Sequence, residues 1–145
     1  MKSRGPDRDD AAMPTPLVTL ARVLLGLPYL VLGLNHFVKF FGMPAPPSAA
    51  EAFLGGLAST SWVFPIVKGA EVVGGALLVL GWAQPLALVL LTPVTIGIVG
   101  YAFDFGGGIK DYALPYTMGG LHLLLLLRHR GAWGALFFSE VDEEE

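Results

Sequence analysis

Long apolar stretches fill the chain between two charged ends, and this pattern most narrows what the chain can fold into. Of its 21 charged residues, 13 lie at positions 1–16 and 128–145, which leaves eight for the 111 residues between them. The charged fraction is 14% and the hydrophobic fraction 54%, whereas soluble domains average about 25% charged residues. Apolar runs of about 20 residues are long enough to cross a bilayer as helices. The sequence therefore predicts an integral membrane protein whose surface contacts the lipid bilayer.

Four such runs predict an all-α fold, a four-transmembrane-helix bundle. The spans cover about 17–41, 62–80, 85–105 and 112–127. The shortest, 112–127, has 16 residues and is followed by Arg128, whose side chain can reach back to the interface. The membrane domain then extends over 17–138. Residues 1–16 read as a disordered N-terminal tail, and 139–145 as an acidic disordered tail.

The distribution of Lys and Arg predicts the orientation. Five lie on the side that holds both termini and two in the other loops, so the positive-inside rule puts both termini in the cytoplasm of a multi-pass protein in the cell (inner) membrane. The connection 42–61 is then extracytoplasmic. Its Ser48-Ala49-Ala50-Glu51 matches a capping box, which predicts a short interfacial helix. We interpret this helix as a structural cap on the bundle in preference to a substrate lid.

Glu71 lies near the middle of the second span, between Trp62 and Trp82. An ionisable side chain there costs at least about 2.5 kcal/mol, so the bundle has to compensate it. The first span has a stripe of small and polar residues at spacings of three and four, which predicts a face that points toward protein, and the second span has a similar stripe that includes Glu71. Thr92 and His122 in the last two spans lie at depths within the same half of the bundle. The candidate intramembrane polar site is Arg22, Tyr29, His36, Lys68, Glu71, Thr92 and His122.

The partner of Glu71 can be inferred from depth. At about 1.5 Å per residue, Arg22 lies roughly 8 Å and Glu71 roughly 16 Å from the cytoplasmic boundary, and their long side chains could meet. One hypothesis is thus structural: Glu71 pairs with Arg22 while Lys68 extends outward. The other is functional: a small polar pocket binds an anionic or quinone-like headgroup. The residues alone leave both open.

Several kinds of chemistry have no signature in this sequence. The chain has no cysteine, which removes thiol relays and cysteine-ligated clusters. His122 has no His or Glu partner at metal-ligand spacing, so no metal site is predicted. Gly106-Gly107-Gly108 lacks the residues of a phosphate loop. No basic face predicts nucleic-acid binding, and no catalytic constellation is visible, so catalytic residues are unknown and turnover stays an open question.

Short motifs resemble the DoxX family of small bacterial four-helix membrane proteins, and the resemblance covers all four spans but not the tails. The motifs are Arg22-Val23-Leu24-Leu25-Gly26, Gly33-Leu34-Asn35-His36-Phe37, Lys68-Gly69-Ala70-Glu71-Val72-Val73-Gly74-Gly75, Leu80-Gly81 and Leu90 to Val94. The resemblance implies a subunit linked to quinol oxidation and to thiosulfate:quinone oxidoreductase, with Arg22 and Glu71 as the intramembrane polar pair. Relatives often carry a histidine near the end of the third span, where this chain has Tyr101, Ala102 and Phe103.

Three functional hypotheses follow. The favoured one is an accessory or binding subunit of a quinone-linked redox system. This subunit would bind a quinone as its one cofactor, and it would dock a soluble or membrane redox partner. The second is a small proton-coupled transporter with Glu71 as the titrating group, which would require a homodimer. The third is a purely structural membrane subunit without a ligand.

Overall fold

The computed structural model describes residues 15–106 and 112–137, and all regular secondary structure in those two ranges is α-helical. The helices are α1 (Thr15–Val38), α2 (Ser48–Ala58), α3 (Val63–Leu80), α4 (Gln84–Phe105), α5 (Ala113–Arg128) and α6 (Arg130–Phe137). Residues 1–14 of the predicted N-terminal tail lie outside the described ranges, and so does the whole predicted acidic tail, 139–145.

The four longest helices run antiparallel to their sequence neighbours in the bundle. Gly26 of α1 approaches Leu78 of α3, whereas Gly33 further along α1 approaches Val72. We call the end where α1 begins and α3 ends the proximal end, and the opposite end the distal end. The short turn 81–83 joins α3 to α4 at the proximal end. Both outer ends of the described chain therefore lie at the proximal end.

Three helices are long and apolar enough to cross a membrane: α1, α3 and α4. Large apolar side chains are exposed along them, among them Leu20, Leu24, Leu27, Ile66, Val73, Leu86, Val89 and Ile96. Such a surface is suited to acyl chains rather than to water. The chain is thus a multi-pass membrane protein, and α5, with 16 residues, occupies the predicted fourth span.

Glycines bring the helix axes close together, as expected where lipid provides no hydrophobic driving force between helices. A Cβ placed on Gly75 would lie 2.6 Å from the Leu30 backbone nitrogen and 2.8 Å from the Gly26 carbonyl oxygen. A Cβ on Gly74 would lie 2.6 Å from Leu91 Cγ of α4. The two consecutive glycines therefore permit α3 to pack directly against both α1 and α4.

Two helix ends differ from the predictions. α1 ends at Val38 rather than near Phe41, because Lys39 takes a left-handed conformation with φ of 54°. α2 begins at Ser48 as its first helical residue, so the N-cap is Pro47 and no side chain caps the helix. The predicted capping box at Ser48 is therefore wrong: Pro47 occupies the position that the box assigns to the serine.

α2 lies against the distal end of the bundle. Ala50 is fully buried, and the Phe53 ring lies tilted beside two α4 rings, 6.3 Å from Tyr101 and 5.7 Å from Phe105 between ring centroids. Tyr101 in turn lies 6.4 Å from Tyr112, which precedes α5. These aromatic contacts tie the loop helix to α4 and α5. Its position at a membrane interface stays a prediction.

Candidate functional site

Glu71 is buried inside the bundle and paired within its own helix. Its side chain is 3% exposed, and both carboxylate oxygens accept hydrogen bonds from Lys68 Nζ at 2.8 Å. The two residues are three apart, a spacing that places them on the same face of α3. The Lys68 side chain is 21% exposed. The charge of Glu71 is therefore compensated by the nearest available cation.

Arg22 has a different role from the predicted one. Its Nη1 donates to the carbonyl oxygens of Leu78 at 2.8 Å and Val79 at 3.1 Å. These are among the last carbonyls of α3, which lack partners within the helix and carry its negative dipole end. Gly81 follows with φ of 77°, and a Cβ there would collide with the guanidinium. Arg22 thus caps the C-terminus of α3.

The predicted Arg22–Glu71 pair is consequently wrong. Glu71 precedes Leu78 by seven residues, which is about 10 Å along the helix axis. The lost pairing has a physical reason: Arg22 satisfies two helix-end carbonyls at its own depth, and Lys68 reaches Glu71 at less conformational cost. The expectation that Lys68 leaves Glu71 and extends outward is wrong for the same reason.

Three helices meet in a second polar cluster, the hydroxyl–histidine network of Tyr29, Thr92, Thr95 and His122. The Tyr29 hydroxyl of α1 lies 2.6 Å from Thr95 Oγ1 of α4. Thr95 Oγ1 lies 3.0 Å from His122 Nδ1 of α5, and Thr92 Oγ1 lies 3.1 Å from His122 Nε2. Each threonine hydroxyl also lies 2.8 Å from a backbone carbonyl one turn earlier. The network therefore joins α1, α4 and α5.

The network has fewer protons than hydrogen-bond contacts, so its hydrogen bonds can be arranged in more than one way. It contains five hydrogen-bond contacts, but three hydroxyls and a neutral imidazole supply only four protons. When His122 is neutral, one of the five contacts therefore has no proton between its two atoms, for example the contact between a threonine hydroxyl and the backbone carbonyl one turn earlier. Because both ring nitrogens face hydroxyls, which donate or accept equally well, either tautomer fits, and a fifth proton would fill every contact. The arrangement suits a group that exchanges hydrogen-bond partners.

A groove between α4 and α5 leads to this network. It has a volume of about 580 Å³ and is lined by apolar or small residues, with Thr92, Thr95 and His122 as the polar ones: Thr92, Thr95, Ile96, Val99, Gly100, Phe103, Gly119, His122, Leu123 and Leu126. From Thr92 to Phe103 the α4 wall is about 16 Å long. The groove thus offers an elongated apolar space with polar groups near its proximal end.

The structure divides the seven predicted site residues among separate places. Tyr29, Thr92 and His122 belong to the hydroxyl–histidine network. Lys68 and Glu71 form their own pair, and Arg22 caps α3. His36 lies at the distal end, exposed, with its ring 6.0 Å from that of Phe64.

Thr95, the hub of the network, was missed by the sequence reasoning. The signal was present: Thr95 follows Thr92 by three residues, so both hydroxyls lie on one face of the helix. None of the buried side-chain nitrogen or oxygen atoms in the described ranges lacks a hydrogen-bond partner. Within those ranges, no group of three or more His, Cys, Asp or Glu residues could hold a metal ion.

Comparison with known families agrees with the motifs in α1 and α3. The sequence profile of the DoxX family matches residues 17–104, more than half of the 145 residues. The chain belongs to the DoxX family. In this DoxX protein the match includes the Arg22 cap, the Lys68–Glu71 pair and the two threonines of α4, and it ends before α5. His122 therefore lies outside the matched segment. No curated protein and no solved structure matches the chain.

Proposed function

We propose that this DoxX protein is a quinone-binding accessory subunit of a membrane redox system. The α4–α5 groove carries the proposal, because an isoprenoid quinone combines a long apolar tail with a ring that accepts hydrogen bonds at two carbonyls. Ile96, Val99 and Leu123 offer apolar contacts for the tail. His122 and Thr92 lie where the ring would come to rest. The electrons come from a partner subunit that docks on this one.

The quinone or quinol ring would replace Thr92 as the hydrogen-bond partner of His122 Nε2. His122 Nε2 lies 3.1 Å from Thr92 Oγ1, and in the tautomer that carries a proton on Nε2 a quinone carbonyl can take the place of that hydroxyl as acceptor. A quinol hydroxyl instead donates, which requires Nε2 without a proton and Nδ1–H directed at Thr95. Because the network accommodates both tautomers, His122 can bind the oxidised and the reduced ring without leaving a buried group unpaired.

The proposal treats α5 as the fourth membrane-spanning helix. Its 16 residues extend about 24 Å, somewhat less than a typical hydrocarbon core of about 30 Å. Leu124 and Leu127 are exposed on this helix, and Arg128 at its end can reach the interface. With the excess of Lys and Arg at the proximal end, both termini would lie in the cytoplasm, and the quinone ring would bind in the cytoplasmic half of the membrane.

A fluorescence experiment tests quinone binding directly. Trp133 donates a hydrogen bond to the Leu126 carbonyl at 3.0 Å, so it lies beside the proximal end of the groove, and a bound quinone should quench it. The full-length protein carrying Trp62→Phe and Trp82→Phe retains Trp133 as its tryptophan. Titration of this protein in nanodiscs with decylubiquinone and with menaquinone-4 should give saturable quenching.

Two glycines of α4 provide a matched pair of variants. A Cβ would have open space at both Gly100 and Gly97, but only Gly100 lines the groove. Gly100→Leu should fill the groove and weaken binding at least tenfold, while Gly97→Leu should stay within twofold of the parent. Non-saturable quenching, or equal effects of the two substitutions, would refute the groove as a quinone site. A stable protein without any binding would favour the purely structural hypothesis.

A further inference from the structure

A second cavity at the distal end is distinct from the groove and has a different character. It has a volume of about 560 Å³ and lies between the end of α1, the segment 39–43 and α3. Its polar lining includes Asn35, His36, Lys39 and Lys68, and its apolar lining includes Phe40 and Met43. The cavity is therefore both basic and apolar.

The wall of this cavity is built by a fixed loop. Asn35 is 5% exposed, and its side-chain amide makes two hydrogen bonds with Phe41: Nδ2 donates to the carbonyl at 3.1 Å, and Oδ1 accepts from the amide at 3.0 Å. The chain turns between them through Lys39, whose φ of 54° is a left-handed conformation that is unfavourable for a residue with a Cβ. The fold accepts this strain and thereby holds Lys39 at the cavity.

The charges at the cavity favour an anion. Lys39 and Lys68 each contribute a positive charge, and the buried Glu71 behind Lys68 contributes one negative charge, so the three sum to +1. An ammonium group has three donors. Lys68 directs hydrogen bonds to the two oxygens of Glu71, which leaves a donor for a ligand in the cavity. His36 adds a further donor.

The apolar part of the lining indicates what the anion is attached to. Phe40 is 55% exposed and Met43 62% exposed, at the level where α1 leaves the apolar region. Basic side chains bordered by exposed apolar ones at a helix end fit an amphiphile whose headgroup is charged and whose chains lie in the membrane. A phosphate group supplies the oxygens that Lys39 and Lys68 can bind as point charges.

We propose that this distal cavity binds the phosphate headgroup of an anionic phospholipid. The site is independent of the quinone proposal: it uses other helices, other residues and another class of ligand. It would fix one lipid molecule at the junction of α1 and α3, next to the Lys68–Glu71 pair.

Native mass spectrometry of the full-length protein in a neutral detergent tests the site. Titration with phosphatidylglycerol and with phosphatidylcholine should show that phosphatidylglycerol binds at least fivefold more tightly, the factor expected for one lysine near an anionic lipid. Lys39→Asn should abolish this preference, since asparagine tolerates positive φ but carries no charge. Arg130→Gln removes an exposed charge at the proximal end and should preserve the preference.

Each alternative result has a defined meaning. A preference that survives Lys39→Asn, or that disappears equally with Arg130→Gln, would overturn the site. Inorganic phosphate that competes with phosphatidylglycerol at equal concentration would overturn the lipid assignment and indicate a soluble phosphate ligand. His36→Gln provides a second variant, which should weaken phosphatidylglycerol binding about twofold and leave phosphatidylcholine binding unchanged. An unchanged phosphatidylglycerol affinity in both variants would exclude this cavity.

Discussion

Replacing Thr95 by valine removes the hydroxyl through which three helices are joined. That hydroxyl contacts the Tyr29 hydroxyl at 2.6 Å and His122 Nδ1 at 3.0 Å, both on other helices. Interhelical hydrogen bonds in membrane proteins are worth about 0.6 kcal/mol on average and about 1.7 kcal/mol at most. Thr95→Val should therefore lower the free energy of unfolding by about 1.2 kcal/mol, with an upper bound of about 3.4 kcal/mol.

Thr92→Val is the internal comparison, because Thr92 makes one contact to another helix and should cost about 0.6 kcal/mol. Thr117 is exposed on α5, so Thr117→Val controls for the substitution itself and should leave stability unchanged. Unfolding in mixed micelles titrated with SDS and followed by far-UV circular dichroism measures all three. A Thr95→Val cost no larger than that of Thr117→Val would contradict the assignment of Thr95 as the hub.

Two further substitutions in α3 probe packing and charge with the same unfolding measurement. Gly75→Ala should destabilise the protein by about 1–3 kcal/mol, because the new methyl group meets backbone atoms of α1. Gly69→Ala should not destabilise it, because a Cβ at Gly69 has no atom within 4 Å. Equal effects of the two substitutions would show that α1 and α3 are further apart than described. Lys68→Met should cost about 3–5 kcal/mol by leaving a buried carboxylate without its cation, and adding Glu71→Gln should recover most of the loss. No recovery in the double variant would refute the pairing.

The positions of the helices could be predicted because a bilayer imposes simple rules. An apolar run in a bilayer has to become a helix, because only then are its backbone polar groups satisfied; α1, α3 and α4 are long and apolar enough to span, and α5 is the helix in the fourth predicted stretch. The stripe that contains Gly26 and Gly33 was identified as facing protein, and both glycines contact α3. Tyr29, Thr92 and His122 were among the candidate polar residues, and in the structure Thr95 bonds to Tyr29 and His122 while His122 bonds to Thr92.

The pairing of charges could not be predicted in the same way. Counting residues along a helix gives the depth of a side chain in the membrane. It does not show that a neighbouring helix ends at that depth and offers unpaired backbone carbonyls there. Arg22 bonds to such carbonyls, a partner that no search for acidic side chains would find. The capping box at Ser48 failed for a comparable reason, because a four-residue motif does not specify which residue is the first in the helix.

The cap that Arg22 places on α3 also bears on how the protein is made. The residue and its acceptor are 56 positions apart in the chain, so at about 5–20 residues per second the ribosome needs roughly 3–11 s to supply the acceptor. The carbonyls that Arg22 binds belong to α3, so the cap cannot form when α1 alone has been made. Arg22 can take its place in the bundle only after α3 has been synthesised and has packed against α1. The last turn of α3 and the position of Arg22 are therefore fixed together, when the two helices assemble.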